Sequence, residues 1–571
     1  MRKITFLAIL FPFLIQAQTF EEMETELENY YYSAADVADF NGDGYIDIMM
    51  TGAIDSDLDG GVDYTFNELY KNADGTTFLP HQGYDGSSVH LSDIKFIDFD
   101  NDGLLDFVSA GLSYNDVVNY QQYRFKNNGN GFDVMDNIPG KIYGSLETFD
   151  FNHDGRMDYA LNGVQYVENT GFTYEIDFYE NTGVDFEMTT NWLPGSQNSS
   201  FKVADFNNDN LLDVICNGYN SESEPFFHVY LNNDGVLTLS QELGAVSDGG
   251  LGFADFNADG HLDFVASGLD VDYNEFTAFY LNDGSGNFTV IPIEGVGIGS
   301  SSISVGDLNN DGYYDFAVIG DDVDYNGWVK IFLFDSVNST FIEAENTGIY
   351  NLGSQGDIEL FDLDNDNHLD MLISGFDWAD DDMPSLTKLF KNTSTEENLK
   401  PNAPTELNLE QDGNRLNFSW IGATDDKTPT EALQYELKVG TTSGSQDIAK
   451  YIVTTPNWFL ELEEVPSNLF WSVKSIDASE IYSNKSEEAQ LSIFDNIATQ
   501  EVKFYPNPAK DIVYFDSDKE IQSVELYSIY GQKIPTSFAN KQVNISHLPS
   551  GVYILKLQVE GKMITEKLVV K

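Results

Sequence analysis

The stretch Asp255-Phe-Asn-Ala-Asp-Gly-His-Leu-Asp263, continued by Phe264-Val-Ala-Ser-Gly268, decides how the chain folds, because it occurs in seven versions. The copies begin at Asp39, Asp98, Asp150, Asp205, Asp255, Asp307 and Asp362, with starts 50 to 59 residues apart. Such a period is longer than one hairpin and suits one four-stranded propeller blade. An alternating segment such as Val203-Ala-Asp-Phe206 precedes the acidic loop and reads as a strand. The run after the loop, Phe107-Val-Ser-Ala-Gly111 or Met371-Leu-Ile-Ser-Gly375, is nearly all apolar, as a strand covered on both faces must be. A third, aromatic strand ends in an Asn/Asp/Gly turn, and a fourth starts at Phe78, Phe132, Phe186, Phe288 or Phe341. The seventh copy stops at its third strand, Leu389-Phe-Lys-Asn392, whereas Gln18-Thr-Phe20 matches Thr76-Thr-Phe78. The expected fold is all-β, a seven-bladed β-propeller over residues 19–395 closed by its own first strand, which leaves no open sheet edge.

Relative positions 1, 3, 5 and 9 of every loop carry oxygen donors. They are Asp39, Asn41, Asp43 and Asp47 in the first copy, Asp98, Asp100, Asp102 and Asp106 in the second, and Asp150, Asn152, Asp154 and Asp158 in the third. The fourth has Asp205, Asn207, Asp209 and Asp213, and the fifth Asp255, Asn257, Asp259 and Asp263. Asp307, Asn309, Asp311 and Asp315 follow in the sixth, then Asp362, Asp364, Asp366 and Asp370 in the seventh. A hard divalent cation such as calcium takes about six to eight oxygens, which these side chains, a backbone carbonyl near position 7 and a bidentate position 9 can supply. Three or four carboxylates so close together repel strongly unless a cation lies among them. Up to seven structural calcium ions are therefore expected. Position 6 is Gly in five copies and Asn210 or Asn367 in two, residue types that tolerate positive φ. His153, His261 and His368 fall at positions 4, 7 and 7, away from the donors, and read as exposed filler. The twelfth position is Met50 or Ser109 rather than Glu, which excludes an EF-hand. The loop resembles those of integrin-α-type propellers, the FG-GAP or VCBS repeats, through its Asp-x-Asn-x-Asp-Gly-x-x-Asp core. The family's Phe-Gly and Gly-Ala-Pro flanks are largely missing, and integrin function does not carry over.

The chain carries 95 acidic and 28 basic residues, a net charge of −67, which repels nucleic acid and anionic membranes and attracts cations. Met1-Arg-Lys, the apolar run Ile4–Ile15 and Gln16-Ala-Gln18 read as a signal peptide over residues 1–18, and no membrane span is expected. With Cys216 as the one cysteine, no intramolecular disulfide can form, and its apolar surroundings make it a core residue.

Alternating strands such as Leu416-Asn-Phe-Ser-Trp420 and Trp471-Ser-Val-Lys474 follow the entry Pro401-Asn-Ala-Pro404. They predict one β-sandwich over residues 401–493, which resembles a fibronectin type III domain. Residues 502–571 turn weakly basic, with nine Lys against seven Asp plus Glu, and read as a small β-sandwich. Tyr505-Pro-Asn-Pro508, Gly531 and Leu548-Pro-Ser-Gly-Val-Tyr553 resemble the type A sorting domain of the type IX secretion system. That resemblance implies contact with the secretion machinery, and release or anchoring at the bacterial outer surface.

Acidic and aromatic loops follow the second strand, among them Asp55–Asp59, Asp270–Asn274, Asp321–Asn326 and Asp377–Asp382. Tyr273, Tyr325 and Trp378 there can stack on sugars, on the face away from the metal loops. The sequence holds no His-Glu-x-x-His, Gly-x-Ser-x-Gly or phosphate-binding loop. The reading reached is an exported, calcium-stabilised binding or adhesion protein with an unknown glycan or protein ligand. A propeller-based polysaccharide lyase or hydrolase and a structural spacer are the alternatives.

Overall fold

The computed structural model describes residues 19–571 except 55–63, 82–86, 116, 168–169, 190–192, 294–296, 323, 325, 353–355, 377–384, 493–502, 518–520, 529–532, 540 and 560–561. The segment 1–18 read as a signal peptide, the loop Asp55–Asp59, Tyr325, Trp378 and Gly531 lie outside the described residues. The fold is all-β, and the described residues include one 3-10 turn, Thr430–Ala432, and no α-helix. No helix among them is long and apolar enough to cross a membrane.

Seven antiparallel sheets follow one another from Phe20 to Asn392. Their inner strands are Tyr31–Ala38, His90–Ile97, Leu146–Phe149, Phe201–Ala204, Leu251–Ala254, Gly299–Gly306 and Ile358–Phe361. Five sheets pair four consecutive strands in sequence order. The third adds a hairpin, Val164–Val167 with Gly171–Asn181, beyond its short second strand Asp158–Leu161. The seventh takes its outer strand from the other end of the chain: Phe20–Met23 pairs with Leu389–Asn392, Phe20 opposite Asn392. All seven sheets contribute residues to the wall of one cavity, so they stand around a common axis.

Second strands are buried along nearly their whole length, as in Asp213–Tyr219 and Asp370–Phe376, because a neighbouring sheet covers each face. Packing repeats along with the sequence. Phe107 stacks on Phe125 at 4.2 Å, Tyr159 on Tyr179 at 4.7 Å, Phe264 on Tyr280 at 4.3 Å and Phe316 on Phe332 at 4.7 Å. The Phe that opens the outer strand (Phe132, Phe186, Phe288, Phe341) meets each pair edge-on at 4.8 to 5.1 Å. Offset-stacked and T-shaped contacts are the arrangements that ring quadrupoles favour, which accounts for an aromatic third strand and a Phe at the fourth.

Residues 405–492 build a two-sheet sandwich. Thr405–Asp412, Arg415–Ile421 and Asn457–Glu461 form a three-stranded sheet. The four-stranded sheet runs Ala449–Val453, Gln434–Gly440, Asn468–Ile476 and Ala489–Ser492. Phe418 and Trp471 at 5.0 Å, with Trp420 and Tyr435 at 5.5 Å, join the two sheets. Residues 405–465 and 469–490 of the sandwich belong to the same compact unit as the seven sheets. A second unit contains the C-terminal tail, whose two four-stranded sheets enclose Val513, Leu526, Leu555 and Leu557.

Phe20 is 5% exposed and packs with Ile331, Met371 and Phe390. Phe20→Ala is expected to lower stability by about 3–5 kcal/mol, read from urea unfolding of the mature chain; a loss below about 1 kcal/mol would show that the first strand is not needed to hold the seventh sheet.

Candidate metal centre

Every acidic loop is the hairpin between the inner and second strands, and its backbone wraps around the position 1 aspartate. In the fifth copy the N–H groups of Asp259 and Gly260 donate to the two Asp255 oxygens at 3.0 and 2.8 Å. The His261 N–H donates to Asp259 Oδ1 at 3.0 Å. Left-handed backbone makes this turn possible: φ lies between +65° and +95° at position 6 of all seven loops. Position 4 is left-handed as well, at +56° to +73°, a requirement the sequence reading missed because Gly42, Asn101, His153, Asn208, Ala258, Asn310 and Asn365 differ in type.

Position 9 ties each hairpin to its third strand. Its Oδ1 accepts the N–H of Asn72, Asn127, Asn181, Asn232, Asn282, Phe334 or Asn392 at 2.7 to 2.8 Å. The asparagines then act with their side chains. Asn282 Nδ2 donates to Leu262 O in its own hairpin and to Phe206 O in the fourth sheet, both at 2.8 Å, while its Oδ1 accepts the Gly284 N–H. Asn72, Asn181 and Asn392 likewise reach Leu363 O, Phe99 O and Leu308 O of the preceding sheet. On sequence these asparagines read only as turn residues. Their recurrence before each turn was the available signal.

Position 1 and position 9 aspartates are mostly buried, whereas positions 3 and 5 are exposed or half-buried. In the second and seventh loops three carboxylates, Asp98, Asp100 and Asp106 or Asp362, Asp364 and Asp370, bring oxygens within 4.8 Å of one another. Burial, reinforced by the neighbouring carboxylates, pushes Asp47, Asp106 and Asp213 up to about 7 and Asp158, Asp263 and Asp370 up to about 8. Such a pocket favours a proton or a cation over bare negative charge. Some of the charge is answered within the chain: Lys71 pairs with Asp43 at 2.9 Å, Lys126 with Asp100, Arg156 with Asp154, and Lys391 with Asp364 and Asp366. The fourth, fifth and sixth loops have Leu231, Leu281 and Leu333 at the place of these lysines, and no ion pair among the described residues. In the fifth, the fully buried Asp263 Oδ2 has no hydrogen-bond partner among the described residues. Hard oxygen donors around an unanswered buried carboxylate oxygen fit a divalent cation.

The sandwich is seated on these hairpins. Tyr451 Oη donates to Asp150 Oδ2, and Gln446 Nε2 to Asp98 Oδ2 at 3.0 Å. Asn101 Nδ2 reaches Ile448 O at 2.8 Å, and the Asp307 N–H reaches Ala478 O at 2.8 Å. Gly312 can only be glycine, since a Cβ would stand 2.1 Å from Lys427 O. His153 is 2% exposed, stacks on Phe459 at 4.1 Å and accepts the Glu461 N–H on its carbonyl, so it is a docking residue rather than exposed filler. His261 and His368 are also half-buried, the first against Asn208 Nδ2 and the second against Glu396 O. Of the loops after the second strand, Asp270–Asn274 is a tight turn in which Asp270 Oδ1 accepts the N–H groups of Asp272 and Asn274, leaving Tyr273 64% exposed. Cys216 is fully buried and its thiol is pushed up to about 12 by burial, as a core residue requires.

Residues 98–161, 205–266 and 255–318 match the FG-GAP-like repeat, and residues 503–571 match the secretion system C-terminal sorting domain. The chain carries FG-GAP-like repeats and a sorting tail. The tail marks it for type IX secretion to the cell surface or medium. No curated protein matches the chain. Among solved structures it is similar to the BP39L lectin of Burkholderia pseudomallei, at 10% identity and TM-score 0.38 over 61% of this chain and 94% of that one. A Dyadobacter fermentans protein of unknown function gives 10% identity and TM-score 0.36, over 66% of this chain and 97% of that one. An alpha-L-arabinofuranosidase of Fusarium graminearum gives 11% and 0.33, over 55% and 96%. At these TM-scores the likenesses carry nothing about ligand or activity.

Two substitutions test the hairpin geometry. Asn282→Ala strands the Phe206 and Leu262 carbonyls and is expected to cost about 2–4 kcal/mol in urea unfolding; a change under about 0.5 kcal/mol would rule out the stitch. Ala258→Gly relieves a left-handed alanine and is expected to gain about 1 kcal/mol, a gain absent if that backbone is unstrained.

Proposed function

We propose that the protein is an exported, calcium-stabilised, seven-bladed β-propeller with a fibronectin type III-like sandwich, serving as a binding or adhesion protein at the bacterial surface or in the medium. Calcium would be held by the position 1, 3, 5 and 9 side chains, most needed in the fourth to sixth loops, where no lysine or arginine among the described residues forms an ion pair with the acids. The ion supplies fixed positive charge that lets each hairpin keep its carboxylates ionised.

The seating of the sandwich is the observation that carries this reading. Asp98 and Asp150 lie under Gln446 and Tyr451, so the hairpins at that end are occupied by the chain itself. Their acids serve as fastenings, and recognition falls to the other end of the sheets, where Tyr273 is exposed. The ligand is then an extracellular glycan or protein, met after passage through the type IX machinery. No observation favours the enzymatic alternative, which needs a convergent acid and base near a substrate.

Removing calcium should both soften the fold and abolish binding. EDTA is expected to lower the melting temperature of the mature chain by about 5 °C or more, with full recovery on adding calcium in excess. Binding to glycan arrays and to intact cells should fall in parallel. An unchanged melting temperature would exclude structural calcium, and an intact protein that binds no glycan, protein or cell surface would exclude the binding role.

A further inference from the structure

The cavity on the common axis has a volume of about 360 Å³, within the usual span of small-ligand sites, roughly 300–1,000 Å³. Strand register fixes which end it occupies. Tyr31 pairs with Ala53 at one end of the first sheet and Ala38 with Asp47, beside the metal hairpin, at the other. The cavity residues come from the Tyr31 end of each inner strand, so its mouth lies away from the hairpins that the sandwich covers.

Its wall is built in rings, one residue from each sheet. The outermost described positions, seven residues before the first loop aspartate, are Tyr32, Leu91, Tyr143, Asn198 and Asp248, and all five hold φ between +49° and +63°. Five non-glycine residues kept left-handed at one place is a costly repetition, of the kind that collects where a surface must be held in a set shape. Side chains at this level vary from sheet to sheet, while the metal loops behind them scarcely do. Tyr143 is 44% exposed and presents its ring at the mouth.

Deeper in, the acids divide into two kinds. Asp93 accepts the N–H groups of Ile94 and Leu146 at 2.8 and 2.9 Å, Asp357 those of Ala35 and Ile358 at 2.8 and 3.0 Å, and Asp248 the Asn198 amide. Those three are committed to holding sheets together. The floor is left with Lys95, Glu147, Lys202 and Glu359. Lys202 pairs with Glu147 at 2.5 Å and Lys95 with Asp36 at 3.2 Å. Glu359 forms no ion pair among the described residues; burial, with Asp357 beside it, pushes its carboxyl up, against the pull of Lys95 and Lys202. Ser145, Ser200 and Ser302 stand between these groups and the rim.

Paired ammonium and carboxylate groups, with serines above them and a tyrosine ring at the mouth, suit a ligand with many hydroxyls and no net charge. A fully charged ligand would meet a repelling group on one side of the floor. We propose that the axial cavity binds the end of a neutral polysaccharide chain. The Tyr143 ring stacks on the sugar at the mouth, and Glu359 accepts hydroxyl hydrogen bonds below. This inference rests on the binding-protein reading above and assigns its site to the axis rather than to outer loop tips such as that of Tyr273.

The test titrates the mature chain, calcium present, with cello-, xylo-, manno-, malto- and laminarihexaose, and with spermidine as a cationic probe, by calorimetry. One or more hexasaccharides are expected to bind. Tyr143→Ala and Glu359→Gln should each weaken that binding by about tenfold or more, with the melting temperature unchanged and Tyr273→Ala without effect. No hexasaccharide binding, spermidine binding in place of sugar, or indifference to both cavity variants would overturn the inference. Binding that falls with Tyr273→Ala alone would move the site to the loop tips, sinking the cavity while leaving the binding role intact.

Discussion

Seven times in this molecule a hairpin turn gathers three or four carboxylates in nine residues, and buries at least one of them. Each position 9 aspartate takes the third-strand N–H on its Oδ1, and in six of the seven loops its Oδ2 accepts an N–H from its own loop. In the first, third, fifth and seventh loops the asparagine it anchors carries the bond onward to the preceding sheet. Without countercharge that arrangement works against itself, because burial drives these carboxyls toward protonation. With a cation at each turn the same crowding becomes a cross-link, in a chain whose single cysteine can form no disulfide within it.

Much of this was legible in the sequence, for physical reasons that can be named. The loop has a fixed register, its flanking strands must be apolar on both faces, and a missing fourth strand after Asn392 had a counterpart in Phe20, which the pairing of Phe20 with Asn392 bears out. Positive φ at position 6 follows from glycine and asparagine there. Position 4 escaped because left-handed geometry was imposed on His153 and Ala258, which do not advertise it. The stitching asparagines escaped because a side chain bonding across two sheets looks, in one dimension, like a turn residue. His153 was misread for a related cause: a loop position exposed in an isolated hairpin is buried when another part of the chain, here Phe459, lies on top of it. Local pattern reports the hairpin, and only tertiary contact reports what covers it.

That cover organises the two ends of the sheets differently. At the hairpin end, the sandwich bonds to loop aspartates and asparagines, so its docking draws on acidic-loop residues such as Asp150. At the other end the rim positions are free to differ among sheets, and a mixed polar cavity opens on the axis. The frame therefore has one standardised end, which holds the fold, and one varied end. The sorting tail assigns such a frame to the cell surface or the medium.

The central claim is that divalent cations sit in these turns and replace missing covalent fastening. A crystal structure of the mature chain grown with calcium, with anomalous difference maps recorded for that element, addresses it directly. The account predicts anomalous peaks inside the hairpins, strongest in the fourth to sixth, with Asp205, Asp255 and Asp307 oxygens about 2.3–2.6 Å away. Hairpins that hold only water at saturating calcium, with their carboxylates arranged as here, would contradict it.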